Sequence, residues 1–153
     1  MSSSLRLARL ALLALALPAT SGCLEMNLST KDKIVNLARQ FGDDVRWGRI
    51  EVASQTVGSA RRRTFIERHK SFEGDLEFAD FELLDVEVEP KMQKAVSRVD
   101  YTWSRKREGL VQKTTTEQNW EFVGGNWVLV KEFRLRGTPL ALFDEPSKKE
   151  GNP

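Results

Sequence analysis

Ligands for metal or redox chemistry are scarce in this chain, which has one cysteine, Cys23, and one histidine, His69, among 153 residues. A single cysteine excludes an internal disulfide. With a single histidine it leaves only scattered carboxylates as ligands, so neither a metal site nor a cofactor is expected. Charge of one sign is also lacking, with 24 Lys plus Arg against 22 Asp plus Glu. Long apolar runs are missing too: Leu10 to Leu17 is apolar, but a membrane-spanning helix needs roughly 20 such residues.

What the amino terminus does have is the three-part pattern of an export signal. Arg6 and Arg9 stand without any acid, the apolar stretch from Leu10 is broken by Pro18, and the small residues Ala19-Thr20-Ser21-Gly22 lead directly into Cys23. Small side chains let a peptidase draw the extended backbone into a narrow cleft. Pro18 ends the leader helix. Here the chain resembles bacterial lipoprotein precursors, whose box sets a small residue just before a cysteine that is diacylated on sulfur and becomes the new amino terminus. Thr20 stands where that family prefers leucine. The resemblance implies Cys23 as the lipidation site and Thr20, Ser21 and Gly22 as the cleavage box. Leu24 is not the aspartate that favours inner-membrane retention, so the implied address is the cell envelope, on the periplasmic face of the outer membrane. Two other readings stay open, namely ordinary cleavage after Ser21 to give a soluble exported form, and a buried free thiol.

Removing residues 1–22 leaves 131 residues with 22 basic against 22 acidic side chains. A neutral chain lacks the electrostatic footprint of nucleic-acid binding, and no nucleic-acid partner is expected. The length suits one domain. Ile34, Leu37, Ala38 and Phe41 fall at helical spacing, with Ser29 or Thr30 as cap and Gly42 as stop. Two further helices are predicted between Asp43 and Phe72. Asp43 and Asp44 would open the first of these, and Arg61, Arg62 and Arg63 the second, where the helix dipole makes positive charge mildly unfavourable.

After Gly74 the hydrophobic period becomes two. Leu76 and Phe78 share one parity, Phe81 and Leu83 the other, and Leu84, Val86 and Val88 return to the first, so two bulges are predicted. Pro90 ends this strand. Ala95 to Trp103 alternates cleanly, a turn follows near Glu108-Gly109, a strand runs from Leu110 to Val123, and Gly124-Gly125-Asn126 turns it back into Trp127 to Leu135. Helices followed by an antiparallel meander give an α+β fold, with N-terminal helices packed on a curved sheet.

Arg46-Trp47-Gly48, Arg63-Thr64-Phe65 and Gln118-Asn119-Trp120 leading to Trp127 carry a resemblance to the nuclear transport factor two-like (NTF2-like, cystatin-like) superfamily, over roughly Thr30 to Leu135. It implies a cone. The expected organisation is a signal peptide at 1–22, a lipidated terminus and short tether at 23–29, a single cone domain at 30–136, and a largely disordered tail at 137–153. Within that tail, Leu140, Ala141, Leu142 and Phe143 form an apolar knot expected to dock on the domain.

Phe41, Phe65, Phe81, Tyr101, Trp103, Trp120 and Trp127 are candidates to line a cavity in the cone, or simply to fill its core. Related enzymes use a cavity Asp, His or Tyr for proton transfer, and the residues available here are His69, Asp80, Asp100, Tyr101 and Glu117. No motif links them. Asp100 alternates with apolar neighbours, so its carboxylate should face water. The basic clusters at 61–63 with Arg68 and Lys70, and at 105–107, would either be solvated or touch anionic headgroups. The functional expectation is a membrane-anchored, non-catalytic envelope domain that binds a protein partner or a small apolar ligand. A small lyase or isomerase working inside the cone is the alternative.

Overall fold

In a computed structural model of the chain, residues 29–145 are described; Thr20, Ser21, Gly22, Cys23 and residues 146–153 lie outside them. Three helices, α1 (Thr30–Arg46), α2 (Ile50–Thr56) and α3 (Ser59–Ser71), precede four strands, β1 (Leu76–Glu89), β2 (Lys94–Arg105), β3 (Val111–Val123) and β4 (Asn126–Gly137). The strands form one antiparallel sheet in chain order. A single 3₁₀ turn, Pro90–Met92, joins β1 to β2.

Ser29 caps α1, its hydroxyl accepting from the Asp32 amide at 3.2 Å and donating to the Asp32 carboxylate at 2.6 Å. The apolar stripe Ile34, Ala38, Phe41 and Val45 faces the sheet. Gly42 does not stop the helix as expected. It sits inside α1, where an added Cβ would fall 2.3 Å from the Phe81 ring, so its role is to admit β1 closely against the helix. Asp43 and Asp44 accordingly close α1 rather than open α2. Asp44 is buried and accepts from Gln40 at 3.1 Å and from Arg49 at 2.7 Å, which pins the turn into α2.

The two predicted bulges in β1 are present, as register shifts between Phe78 and Asp80 and between Leu83 and Asp85. They bend the strand so that Phe78, Phe81, Leu83 and Val86 all reach the core. Trp120, Tyr101 and Phe41 are its largest fully buried residues, each ring contributing about 2–3 kcal/mol by burial. Gly124 and Gly125 supply the positive φ of the β3–β4 hairpin, 58° and 87°.

The fold continues past residue 136. Leu140, Leu142 and Phe143 are buried, and Asp144 forms a parallel bridge with Phe133 on the outer edge of β4, its amide donating to the Glu132 carbonyl at 3.2 Å. On the same edge, Val57 bridges Leu129, whose carbonyl accepts from the Gly58 amide at 2.9 Å.

Gly42→Ala gives a clear test of this packing. In an ordinary helix interior the change gains up to about 1 kcal/mol. Here it should lose about 1–3 kcal/mol by overpacking against Phe81, read as a lower denaturant midpoint.

Candidate functional site

The inner face of the sheet carries an unusual density of polar side chains. Trp120 Nε1 donates to Ser97 Oγ at 2.8 Å, Ser97 donates to Gln118 Oε1 at 2.8 Å, and Gln118 Nε2 donates both to the Tyr101 hydroxyl at 3.2 Å and to Glu132 Oε1 at 3.0 Å. Tyr101 and Thr116 donate to the same carboxylate oxygen at 3.2 and 2.9 Å. Three donors therefore converge on one atom. The Glu132 pKa is raised to about 7, because burial, with the charge of Asp144 adding to it, outweighs the lowering effect of the bonds from Thr116, Gln118 and Tyr101. Burial also pushes Tyr101 well above its usual range, reinforced by Glu132.

Glu132 was not singled out by the sequence, because a regular β4 would turn it outward. Trp120 pairs with Leu129 and Asn119 with Lys131, so Val130 is an extra residue that flips the parity and brings Glu132 inside. No glycine or proline announces that bulge.

Glu132 lines a cavity of about 30 Å³ together with Thr64, Phe65, Arg68, His69 and Leu142. That volume holds roughly one or two waters. The remaining interior is occupied by the carboxy-terminal knot, with the Phe143 ring stacked 5.2 Å from Tyr101. Asp144 beside it binds Arg61 at 2.5 Å and Arg68 at 2.7 Å. Burial raises the Asp144 pKa, but the bonds from Arg68 and Arg61 outweigh it and the carboxyl stays below its ordinary value.

A second space lies alongside, a groove of about 380 Å³ between α2, α3 and the start of β1. Val45, Ile50, Phe72, Leu76, Phe78 and Leu142 supply its apolar walls. Lys70 and Glu51, paired at 3.2 Å, stand on its rim. His69 touches both spaces. Its Nδ1 lies 2.9 Å from the Phe65 carbonyl, which can only accept, so in the neutral ring the proton sits on Nδ1 and Nε2 keeps its lone pair. Burial lowers the His69 pKa, with the charge of Arg68 acting in the same direction.

Of the seven aromatic candidates, Phe41, Tyr101, Trp103 and Trp120 are buried in the core, and Phe65, Phe81 and Trp127 pack against it. Phe65 alone among them lines the small cavity. Trp103 donates to Thr114 at 2.9 Å. Among the residues weighed for proton transfer, Tyr101 and His69 reach the interior while the other three do not. Asp80 is exposed and 3.5 Å from Arg46, and Glu117 pairs with Arg98 at 3.2 Å on the outer face. Asp100 is on that outer face as expected, yet it is buried rather than in water, beneath Lys113 at 2.7 Å and Thr115 at 2.6 Å. Burial alone would raise its pKa; those two bonds prevail and lower it.

No protein-family model matches this chain, and no curated protein matches it in sequence. Solved structures do. An NTF2-like protein from Cytophaga hutchinsonii aligns with a TM-score of 0.55 at 13% identity, over 69% of this chain and 96% of its own. The fold is NTF2-like. The same NTF2-like architecture aligns with a SEC-C motif containing protein from Rhodopseudomonas palustris, with a TM-score of 0.56 at 13% identity over 65% of this chain and 77% of that one. The intermembrane space region of the chloroplast protein ARC6 aligns with a TM-score of 0.51 at 15% identity, over 71% and 98%. Identities this low establish the shared fold alone.

A carboxyl whose pKa rises on folding stabilises the fold fully below its ordinary value of 4.5, and that contribution is lost as pH climbs through about 7. Unfolding free energy should therefore fall by about 2–3 kcal/mol between pH 5 and pH 8 from this group. Glu132→Gln keeps the Oε1 acceptor and loses the charge, so it should flatten the profile and be the more stable protein at pH 8. Urea melts of both proteins across that range measure it.

Proposed function

We propose that this protein is a lipid-anchored envelope domain that binds a small, largely apolar ligand in the groove beside the cone, with no chemistry of its own. The groove carries the reading. Its volume of about 380 Å³ falls within the range of small-molecule sites, and its apolar walls are joined by four polar residues, Glu51, His69, Lys70 and Glu73. With Nδ1 committed to the Phe65 carbonyl, the His69 ring offers Nε2 as an acceptor suited to a ligand bearing a single hydroxyl or amide donor. The anchor is supported by the leader and by the position of Cys23, and the periplasmic face of the outer membrane is the corresponding address.

The enzyme alternative has one observation in its favour. Glu132 titrates near pH 7 and lies within hydrogen-bond reach of Tyr101, as a general acid or base requires. The space beside it, however, admits only water. A substrate would have to expel Leu142 and Phe143, whose docking is held by the Asp144 pairs with Arg61 and Arg68.

Two measurements test the two halves. Intact mass of the protein purified from membranes should show residues 1–22 removed and Cys23 acylated, and Cys23→Ser should leave the protein in the soluble fraction after carbonate washing. Binding of an apolar fluorescent probe such as anilinonaphthalene sulfonate should fall at least about tenfold in Leu76→Trp, which fills the groove, a loss of about 1.4 kcal/mol or more. Unchanged probe binding would count against the groove.

A further inference from the structure

One end of the molecule gathers apolar side chains that the fold does not cover. Lys33 and Leu37 from the first turns of α1, Pro90 and Gln93 from the β1–β2 connection, and Phe122 and Trp127 from the β3–β4 hairpin surround an open depression of about 600 Å³. The Phe122 amide donates to the Gln93 carbonyl at 2.9 Å, tying the hairpin to the connection. Phe122 is 38% exposed and Val123 55%, with the Phe122 and Trp127 rings 5.5 Å apart. The inner face of the sheet here runs past its cover: Phe41 of α1 shields Trp120, and two residues further along β3 the shield has ended.

Charge at this end is biased. Glu121 pairs with Lys94 at 3.7 Å, and the segments that frame the depression then carry Lys31, Lys33 and Lys91 against two acids, Asp32 and Glu89, none of the five in an ion pair among the described residues. The basic clusters that the sequence offered for headgroup contact are instead largely engaged elsewhere. Arg61 and Arg68 hold Asp144, Arg62 donates to the Ser54 and Val57 carbonyls at 2.9 and 3.2 Å, and Arg105 pairs with Asp75 at 3.2 Å.

Resting on the anchored reading above, the geometry points to this end as the face that lies on the bilayer, with Phe122, Val123 and Trp127 seated at the boundary between headgroups and acyl chains. Five residues separate Cys23 from Ser29, so an acylated Cys23 holds the start of α1 within at most about 20 Å of the lipid even when fully extended. Tryptophan and phenylalanine favour that boundary, and lysines beside it meet anionic headgroups. At the far end of α1, about 25 Å away for a helix of 17 residues, Trp47 is 66% exposed and stands beside the ligand groove. The groove thereby lies at the end of α1 remote from the membrane.

Nitroxide labels test the orientation, since an acylated Cys23 leaves an introduced cysteine as the sole free thiol. Val123→Cys and Leu110→Cys both alter exposed residues, the first at the end of β3 and the second just before its start. The labelled, lipidated proteins are reconstituted in vesicles of phosphatidylethanolamine and phosphatidylglycerol, and collision of each label with oxygen and with an aqueous nickel chelate is read by electron paramagnetic resonance. The oxygen-to-nickel ratio at position 123 should exceed that at 110 several-fold. Equal ratios, or the reverse order, with Cys23 acylated by intact mass overturn this inference and leave the anchor standing. An unmodified Cys23 in the same sample overturns both.

Discussion

The convergence of three donors on Glu132 Oε1 is the constraint around which the interior is arranged. A half-buried carboxylate on the inner face of the sheet is costly unless its hydrogen bonds are made, and making them requires β2, β3 and β4 in one register. Tyr101, Thr116, Gln118 and Glu132 come from those three strands, and a slip of one residue anywhere would turn a donor outward. Ser97 and the Trp120 indole extend the same network, so the largest ring in the core is itself fixed by a polar contact. A connected polar network of this kind specifies a single packing more sharply than apolar contacts alone.

The carboxy-terminal residues complete the enclosure. Leu142 and Phe143 take the space that a ligand would occupy in an open cone, and Asp144 fastens them to α3. This also resolves the awkward charge at the start of α3. Arg61 serves Asp144 and Arg62 serves the last carbonyls of α2, so each meets an acceptor that offsets the unfavourable helix dipole.

How much of this was legible depended on whether a feature left a trace in hydrophobic parity. The bulges of β1 did, because Phe78, Phe81, Leu83 and Val86 must all face inward and no unbroken alternation permits it. The bulge at Val130 did not, since Val128, Leu129 and Val130 are apolar on every parity, and Glu132 went unread with it. Gly42 was misread because glycine ends helices and also admits close neighbours; only the position of Phe81 decides between the two. The union of Arg61 and Arg68 with Asp144 joins residues more than 70 positions apart, beyond any local pattern.

Both long edges of the sheet are defended. Gly58 and Asp144 lie along the outer side of β4, while β1, on the other side, is bent twice and displays Glu77, Asp80, Glu82, Asp85, Glu87 and Glu89 to solvent. An incoming strand finds hydrogen-bonding positions at Leu129, Glu132 and Arg134 already taken on one flank and a row of carboxylates on the other. Two copies meeting β1 to β1 would set these carboxylates against one another, which resists one route to the strand-by-strand polymerisation to which open antiparallel sheets are prone.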